Sequence, residues 1–532
     1  MLDRRSFLKT VTAAGAAVAF TPRTARARSD SILTPGFGVH PFIAAHPDAV
    51  FIMRTAVDVK TNSAAMKSAG LGFGRAVFVA QDVASGGVPL THKIAVKPNL
   101  TCRGKWNANY TVERSMGVQT DAYFVEGVIE SMKELGLNGS QFYLREVNCP
   151  DDFIDGGYVA MASRTGADLR DLSAQVGVLP EEHIQWKDVP AGVWFNRIPY
   201  LWPVNAPDTW LLNIAKLKTH GMGMTLCAKN IQGTIAANYQ QHCTVYSSTM
   251  NIDSAHVRAN AKTVILNAYE SHKNTIPRWL RPEGNGGLWM ETWATRCLDN
   301  NSVTTAGLHI IEGIYGRDGN FMDGPGPGGI ATDHMSNVIV FGKNQFTVDV
   351  IGHWLGGHEP GNFGLFHLAR ERGMLATMDP HAIPVYDWTS GGPVLTPLES
   401  FTRTPLLTYY LQKDYGGGTE PYWHLVDEAY DYSVTAVAGG PAAVPDAMVL
   451  CQNYPNPFNA STIFEFTLPR TGRVRLDVHN ALGESVGVVA EGVYMAGTHM
   501  ATWTRNDLPT GFYVYRLWFD GQTTSRKLLV IR

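Results

Sequence analysis

The sequence predicts an α/β fold, an open, mostly parallel sheet with helices, followed by a C-terminal all-β sandwich of immunoglobulin-like type. Three observations carry this. Apolar strands alternate with helical periods between Lys93 and Leu355. From Thr462 onward the helical period is gone, and short alternating runs recur between turns. Between the two lies Ala436-Val-Ala-Gly-Gly-Pro-Ala-Ala-Val-Pro445, which is small, uncharged and rich in Pro and Gly, as a linker is. The chain thus divides into an α/β region over 35–433, a linker over 434–448 and a β module over 449–532.

The first residues belong to neither. Arg4-Arg5-Ser6-Phe7-Leu8-Lys9 precedes an apolar stretch from Val11 to Phe20, then Pro22 and the small-residue pattern Ala25-Arg26-Ala27. A stable membrane-spanning helix needs about 20 apolar residues, so this stretch reads as an export signal over 1–28. The paired arginines with Phe-Leu-Lys resemble a twin-arginine signal, with Asp3 a departure from its usual Ser.

Composition narrows the functions. The chain has 532 residues, enough for two or three domains. Charged residues make up 17%, below the usual ~25%, so a large buried core is expected. A net charge of −3 without a long basic run gives no support for nucleic-acid binding. No apolar stretch suits a transmembrane segment. The six cysteines, Cys102, Cys149, Cys227, Cys243, Cys297 and Cys451, form no C-x-x-C, so no iron–sulfur cluster is expected.

Within the α/β region, Lys93–Lys97 predicts a strand. Asp121–Leu135 predicts a helix, with Phe124, Val125, Val128, Ile129, Met132 and Leu135 on one face and Gly136 as its stop. Gln141–Val147 predicts the next strand. Further strands are expected at Trp210–Leu217, Leu308–Glu312 and Asn337–Phe341, and a helix at Gln345–Leu355 capped by Asn344. In such sheets ligands bind beyond the carboxyl ends of the strands. That rule selects Lys97 to Asn99, Glu146 to Asn148, Lys216 to His220, Glu312 to Asp318, and Lys343 to Asn344.

The densest of these segments is Lys216-Leu-Lys218-Thr-His220, followed by a Gly-x-Gly turn and a helix carrying Lys229 and Asn230. Alternation projects Lys216 and Lys218 to the same side of their strand. Three lysines, a histidine and the amides of a helix N-terminus suit a small anionic ligand, a carboxylate or a phosphate. Lys218, Lys229 and His220 are the expected catalytic groups, with His220 as general acid/base. Lys97, Asn99, Lys216 and Asn230 are expected to bind the ligand. Glu146 and Glu312, with Asp318, Asp323 or the histidines, are candidate ligands for a divalent metal, although no H-E-x-x-H spacing supports one. The cofactor is otherwise unknown. His353 and His358 read as ordinary histidines near a helix end, and Gly316–Gly329 as a long loop.

These motifs, Val96-Lys97-Pro98-Asn99-Leu100, Lys216 to His220 with Lys229-Asn230 and Gly233, Ile311-Glu-Gly-Ile-Tyr-Gly316 with Gly319-Asn320, and Asp349, resemble the domain of unknown function 362 family. The resemblance implies an α/β domain with a polar site and leaves its reaction unassigned. Some relatives carry a ferredoxin-like segment that this chain lacks.

In the β module, strands are expected at Thr462–Thr467, Arg473–His479, Thr498–Thr504, Gly511–Phe519 and Ser525–Ile531, separated by turn signals such as Asn480-Ala-Leu-Gly483 and Asp520-Gly521. Asn453-Tyr-Pro-Asn-Pro-Phe-Asn459, Gly472-Arg-Val-Arg-Leu476, Leu482-Gly483, Trp503 and Leu508-Pro-Thr-Gly-Phe-Tyr513 resemble a type A sorting domain of the type IX secretion pathway. That resemblance implies export through the periplasm to the cell surface or beyond, with the secretion machinery as partner. The expected whole is an exported protein acting on a small anion, or one that binds it without turnover.

Overall fold

The computed structural model describes residues 34–100, 116–147, 153–154, 156–174, 176–220, 223–237, 239, 254–277, 279, 287–320, 324–325, 329–408, 428–433, 448–453, 456–469, 472–494, 497–505 and 507–531. The export signal, most of the linker, Asn148, His242, Asp323, Cys102, Cys149 and Cys243 lie outside these.

The α/β region is organised on a ten-stranded sheet. Its strands are β1 (Val50–Arg54), β2 (Lys93–Pro98), β3 (Phe142–Leu144), β4 (Asp168–Leu169), β5 (Thr209–His220), β6 (Gly223–Thr225), β7 (Leu308–Arg317), β8 (Asp333–Gly342), β9 (Val385–Thr389) and β10 (Gly392–Leu395). They run in the order β10-β9-β1-β8-β7-β5-β2-β3-β4, with β6 returning along β5. β7, β5, β2, β3 and β4 are parallel neighbours. β8 is antiparallel to both β7 and β1, and β10 to β9. β9 is again parallel to β1, so the sheet is mixed, with antiparallel pairings at β6, β8 and β10. The expectation of a parallel neighbour fails at β8, because β7 runs on to Arg317 and β8 returns from Asp333 antiparallel beside it.

That reversal moves one group of expected site residues. Lys343 and Asn344 follow β8, so they lie at the opposite end of the sheet from the carboxyl ends of β2, β5 and β7. Lys343 Nζ donates to Gly307 O, just before β7 begins, at 2.7 Å.

Helices cover both faces. On one, α1 (Ser63–Val77) packs against α2 (Ala122–Lys133), and Phe73, Val77, Phe124 and Val128 meet Val96, Ile214, Ile310 and Ile339 of the sheet. The two helices approach closely because Gly70 has no side chain: a Cβ there would lie 2.0 Å from Phe124 O. On the other face α5 (Gly287–Asn301) and α6 (Gln345–Leu355) pack with Ala215, Leu217, Ile311 and Val340. Asp121 caps α2 by accepting from the Tyr123 and Phe124 amides, and Asn344 caps α6 through the Phe346 and Thr347 amides. Among the described residues no helix is long and apolar enough to cross a membrane.

The C-terminal module has its own core. One sheet joins Val449–Leu450, Ser461–Leu468 and Gly497–Thr504; the other joins Ser485–Tyr494, Gly472–His479, Gly511–Phe519 and Gln522–Val530. Val474, Leu476 and Val478, with Leu517 beside Leu476 in the same sheet, share one cluster with Phe464 and Phe466 of the other, as the alternation requires. The strand Ser485–Tyr494 escapes the sequence pattern because Gly487, Ala490 and Gly492 dilute its apolar period. The N-terminal segment of the module is tied to the core by Tyr515, whose hydroxyl donates to Cys451 O at 2.7 Å and accepts from the Asn453 amide at 2.9 Å. Tyr515→Phe removes both bonds and should cost about 1–2 kcal/mol. Hydrogen exchange should then accelerate at the Asn453 amide and remain unchanged at α2.

Candidate functional site

Three parallel strands, β2, β5 and β7, bring their carboxyl ends together at the middle of the sheet. Register fixes which side chains meet. Lys97 lies beside Asn213, Lys216 beside Glu312, and Lys218 beside Arg317. Side chains alternate along β5, so Lys97 shares the face of Asn213, while Lys216 and Lys218 project from the other. The cluster that looks continuous in the sequence is split by the sheet.

On the first face, Lys97 is 1% exposed and its ammonium is fully engaged. Nζ donates to Glu146 Oε2 at 2.6 Å, to Pro98 O at 2.6 Å and to Asn230 Oδ1 at 2.9 Å. Three acceptors exhaust its three protons. Glu146 also accepts from the Leu100 amide at 3.1 Å. Burial pulls the Lys97 pKa down, and the Glu146 carboxylate opposes it. Asn230 donates to Lys97 O and to Asn213 Oδ1, and Asn213 donates to Cys227 O and to His309 Nδ1. Burial holds His309 down at about 3, which keeps it neutral. Gly233 makes room for the ion pair, since a Cβ there would lie 2.0 Å from Glu146 Oε1 and 2.6 Å from Lys97 Cε.

On the second face, Lys216 Nζ donates to Glu312 Oε2 at 2.6 Å and lies 3.3 Å from the centre of the Tyr315 ring. Both residues of the pair are fully buried. Glu312 accepts further from the Asp121 and Ile314 amides, and Tyr315 donates its hydroxyl to Asp121. Burial lowers the pKa of Lys216 and raises those of Glu312 and Asp121.

The helix N-terminus expected to receive an anion already holds one. The short helix Cys227–Asn230 offers the amides of Cys227 and Ala228 to Asp349 at 2.7 and 2.8 Å. Burial raises Asp349 to about 7. The acid of α6 thereby fastens the turn after β5 to the helix layer.

Lys218 and Lys229 occupy the strand-end region with Arg317. Lys218 is 1% exposed, and its pKa falls well below the ordinary range. Burial is the main cause, followed by the nearby charges of Lys229 and Arg317, with Glu146 opposing. Asp333 holds Arg317 through Nε at 2.6 Å and Nη2 at 3.0 Å. His220 closes β5 opposite Gly223, 7% exposed. Asn99 is buried beside Asn230, its Nδ2 donating at 3.2 Å. Asp318 accepts from the Thr332 amide at 2.7 Å. Among the described residues no three His, Cys, Asp or Glu side chains converge as the ligands of a metal would. His353 and His358 are core groups, the first held neutral by burial against Phe363 and the second hydrogen-bonded to Leu406 O.

Asn213, His309 and Asp121 enter the site without having been expected there, and Tyr315, inside the expected Glu312 to Asp318 segment, gains a role that its position alone did not assign. Asn213 and His309 had one signal, a polar residue inside an otherwise apolar strand.

Glu146→Gln or Glu312→Gln leaves a buried lysine without its counter-charge and should cost about 3–5 kcal/mol in chemical denaturation. The paired replacement of Lys216 by Met and Glu312 by Leu should recover most of that loss. Gly233→Ala should cost about 1–3 kcal/mol by overpacking.

None of the curated proteins matches this chain in sequence. Among solved structures, the crystal structure of dimeric latent PorU from Porphyromonas gingivalis is similar over 18% of this chain and 10% of that one, at 19% identity and a TM-score of 0.14. So slight a likeness carries no argument. The span that supplies the described strand-end residues, 94–353, matches the family model described as "Domain of unknown function (DUF362)".

Proposed function

We propose that the protein is exported and binds a small anion, a carboxylate or a phosphate, at the carboxyl ends of β2, β5 and β7. The observation that carries this is the crowding of positive charge on Lys218. Beyond the effect of burial, Lys229, Arg317 and Lys216 all disfavour its ammonium form, and Glu146 opposes them. An anion placed there relieves that repulsion, and the low dielectric of a buried site enlarges the gain. Lys218 and Lys229 are the residues that meet the ligand, and His220 serves as general acid/base where the anion is turned over. Lys97 and Lys216, each bound to a glutamate, shape the site from either face, and Asn99 and Asn230 orient the ligand.

A second reading, capture without turnover, draws on a specific observation. Glu146 and Glu312 are both committed to lysines, which occupies two carboxylates otherwise suited to act as bases or metal ligands.

The export reading draws on the residues at both ends of the chain. The C-terminal module has a hydrophobic core of its own, as an immunoglobulin-like sorting domain recognised by the type IX machinery requires. Removal of residues 449–532 should leave the α/β region folded and strand it in the periplasm. Surface or secreted delivery of the truncated chain, followed by cell fractionation, would count against the sorting role.

Calorimetric titration of the full chain with inorganic phosphate and with simple carboxylates tests the anion site. Binding that Lys218→Ala abolishes without unfolding supports it, and undiminished binding in that variant refutes it. The pH dependence has a definite sign. A lysine with a lowered pKa loses its proton at lower pH than an exposed one, and the anion prefers the ammonium form. Affinity should therefore weaken as pH rises, while Lys218→Arg, which stays charged, should flatten the profile.

A further inference from the structure

Asn99 follows β2 directly, and its side chain is more than nine-tenths buried, at 7% exposure. A relay of amides decides which way it points. The carbonyls of Cys227 and Lys97 can only accept hydrogen bonds. Asn213 Nδ2 lies 3.0 Å from Cys227 O, and Asn230 Nδ2 lies 3.1 Å from Lys97 O. These two contacts fix both amides. Asn213 also donates to His309 Nδ1 at 3.0 Å and presents its oxygen to Asn230 Nδ2 at 2.7 Å. Asn230 then presents its own oxygen to Lys97 Nζ and to Asn99 Nδ2. Turning the Asn99 amide over would set two oxygens against each other.

The consequence falls on Asn99 Oδ1. It is buried and accepts no hydrogen bond among the described residues. A buried acceptor without a donor is costly, and a ligand that supplies the donor recovers that cost. The donor is more suitably neutral than cationic, because Lys97 and Lys218 already place positive charge at this end of the sheet. A hydroxyl meets both conditions.

We propose that Asn99 reads a hydroxyl group, so that the anion this site takes is a hydroxylated one, a hydroxy acid or a polyol phosphate. The inference rests on the anion-binding reading above. His309 and Asn213 are positioning residues, acting on the ligand only through Asn230 and Asn99.

Matched anions that differ in their hydroxyl groups test this by calorimetry on the full chain: lactate against propionate, and glycerol 3-phosphate against propyl phosphate. In at least one pair the hydroxylated member should bind about tenfold more tightly or better. In Asn99→Ala that ratio should fall to about one, and Asn213→Leu, remote from the ligand, should lower it as well. Equal binding of both members by the wild-type chain, or a ratio that survives Asn99→Ala, overturns the assignment and leaves anion binding standing. Failure of all four compounds to bind overturns the anion reading and this one with it. If Asn99→Ala does not fold, the wild-type ratio alone decides.

Discussion

The neutralisation of two of the buried lysines is the constraint on which the site region depends. Lys97 and Lys216 stand near the ends of adjacent parallel strands, where neither reaches water. A buried ammonium is tolerable only with a counter-charge and with its remaining protons bound. Glu146 and Glu312 supply the charges. Pro98 O, Asn230 and the Tyr315 ring supply the rest. These partners come from four separate chain segments, so the pairs can form only once the sheet is assembled. Buried ion pairs contribute little net stability, but they penalise every arrangement in which they are broken. Here they specify register: a slip of β2 or β7 along β5 would strand a charge.

The same pairs set the electrostatics of the strand ends. With Lys97 and Lys216 answered from opposite faces, the positive charge that lies near Lys218 comes mostly from Lys229, Arg317 and Lys216. The sheet thus gathers Lys218, Lys229 and Arg317 at its strand ends, apart from the two lysine–glutamate pairs. Asp349 does comparable work at the short helix after β5, occupying amides that would otherwise attract an outside anion.

Much of the framework was legible in the sequence. The helix Gln345–Leu355 and its Asn344 cap agree with expectation residue for residue, since capping and apolar spacing are local properties. The strands around Lys97 and Lys216 were readable from continuous apolar runs. The helix Ser63–Val77 was not, because its contact with α2 depends on glycines that carry no apolar signal. The direction of β8 was hidden as well: an apolar run looks the same in either orientation, and only pairing with Leu308–Arg317 decides it.

Local pattern alone places the lysines, His220 and Glu312 at strand ends, because strand ends are read from apolar runs and the turns that stop them. It also determined that the tail alternates with period two, and so must bury one face. The tertiary structure decided the partners. Strand register, which no local pattern encodes, put Glu312 beside Lys216 and Arg317 beside Lys218. The alternation of side chains across a shared sheet placed Lys97 and Lys216 on opposite faces. The packing of α6 against the turn after β5 sent Asp349 to the helix N-terminus. Each of these is a long-range contact, fixed by how the elements bury their apolar faces together rather than by the residues next to it in the chain.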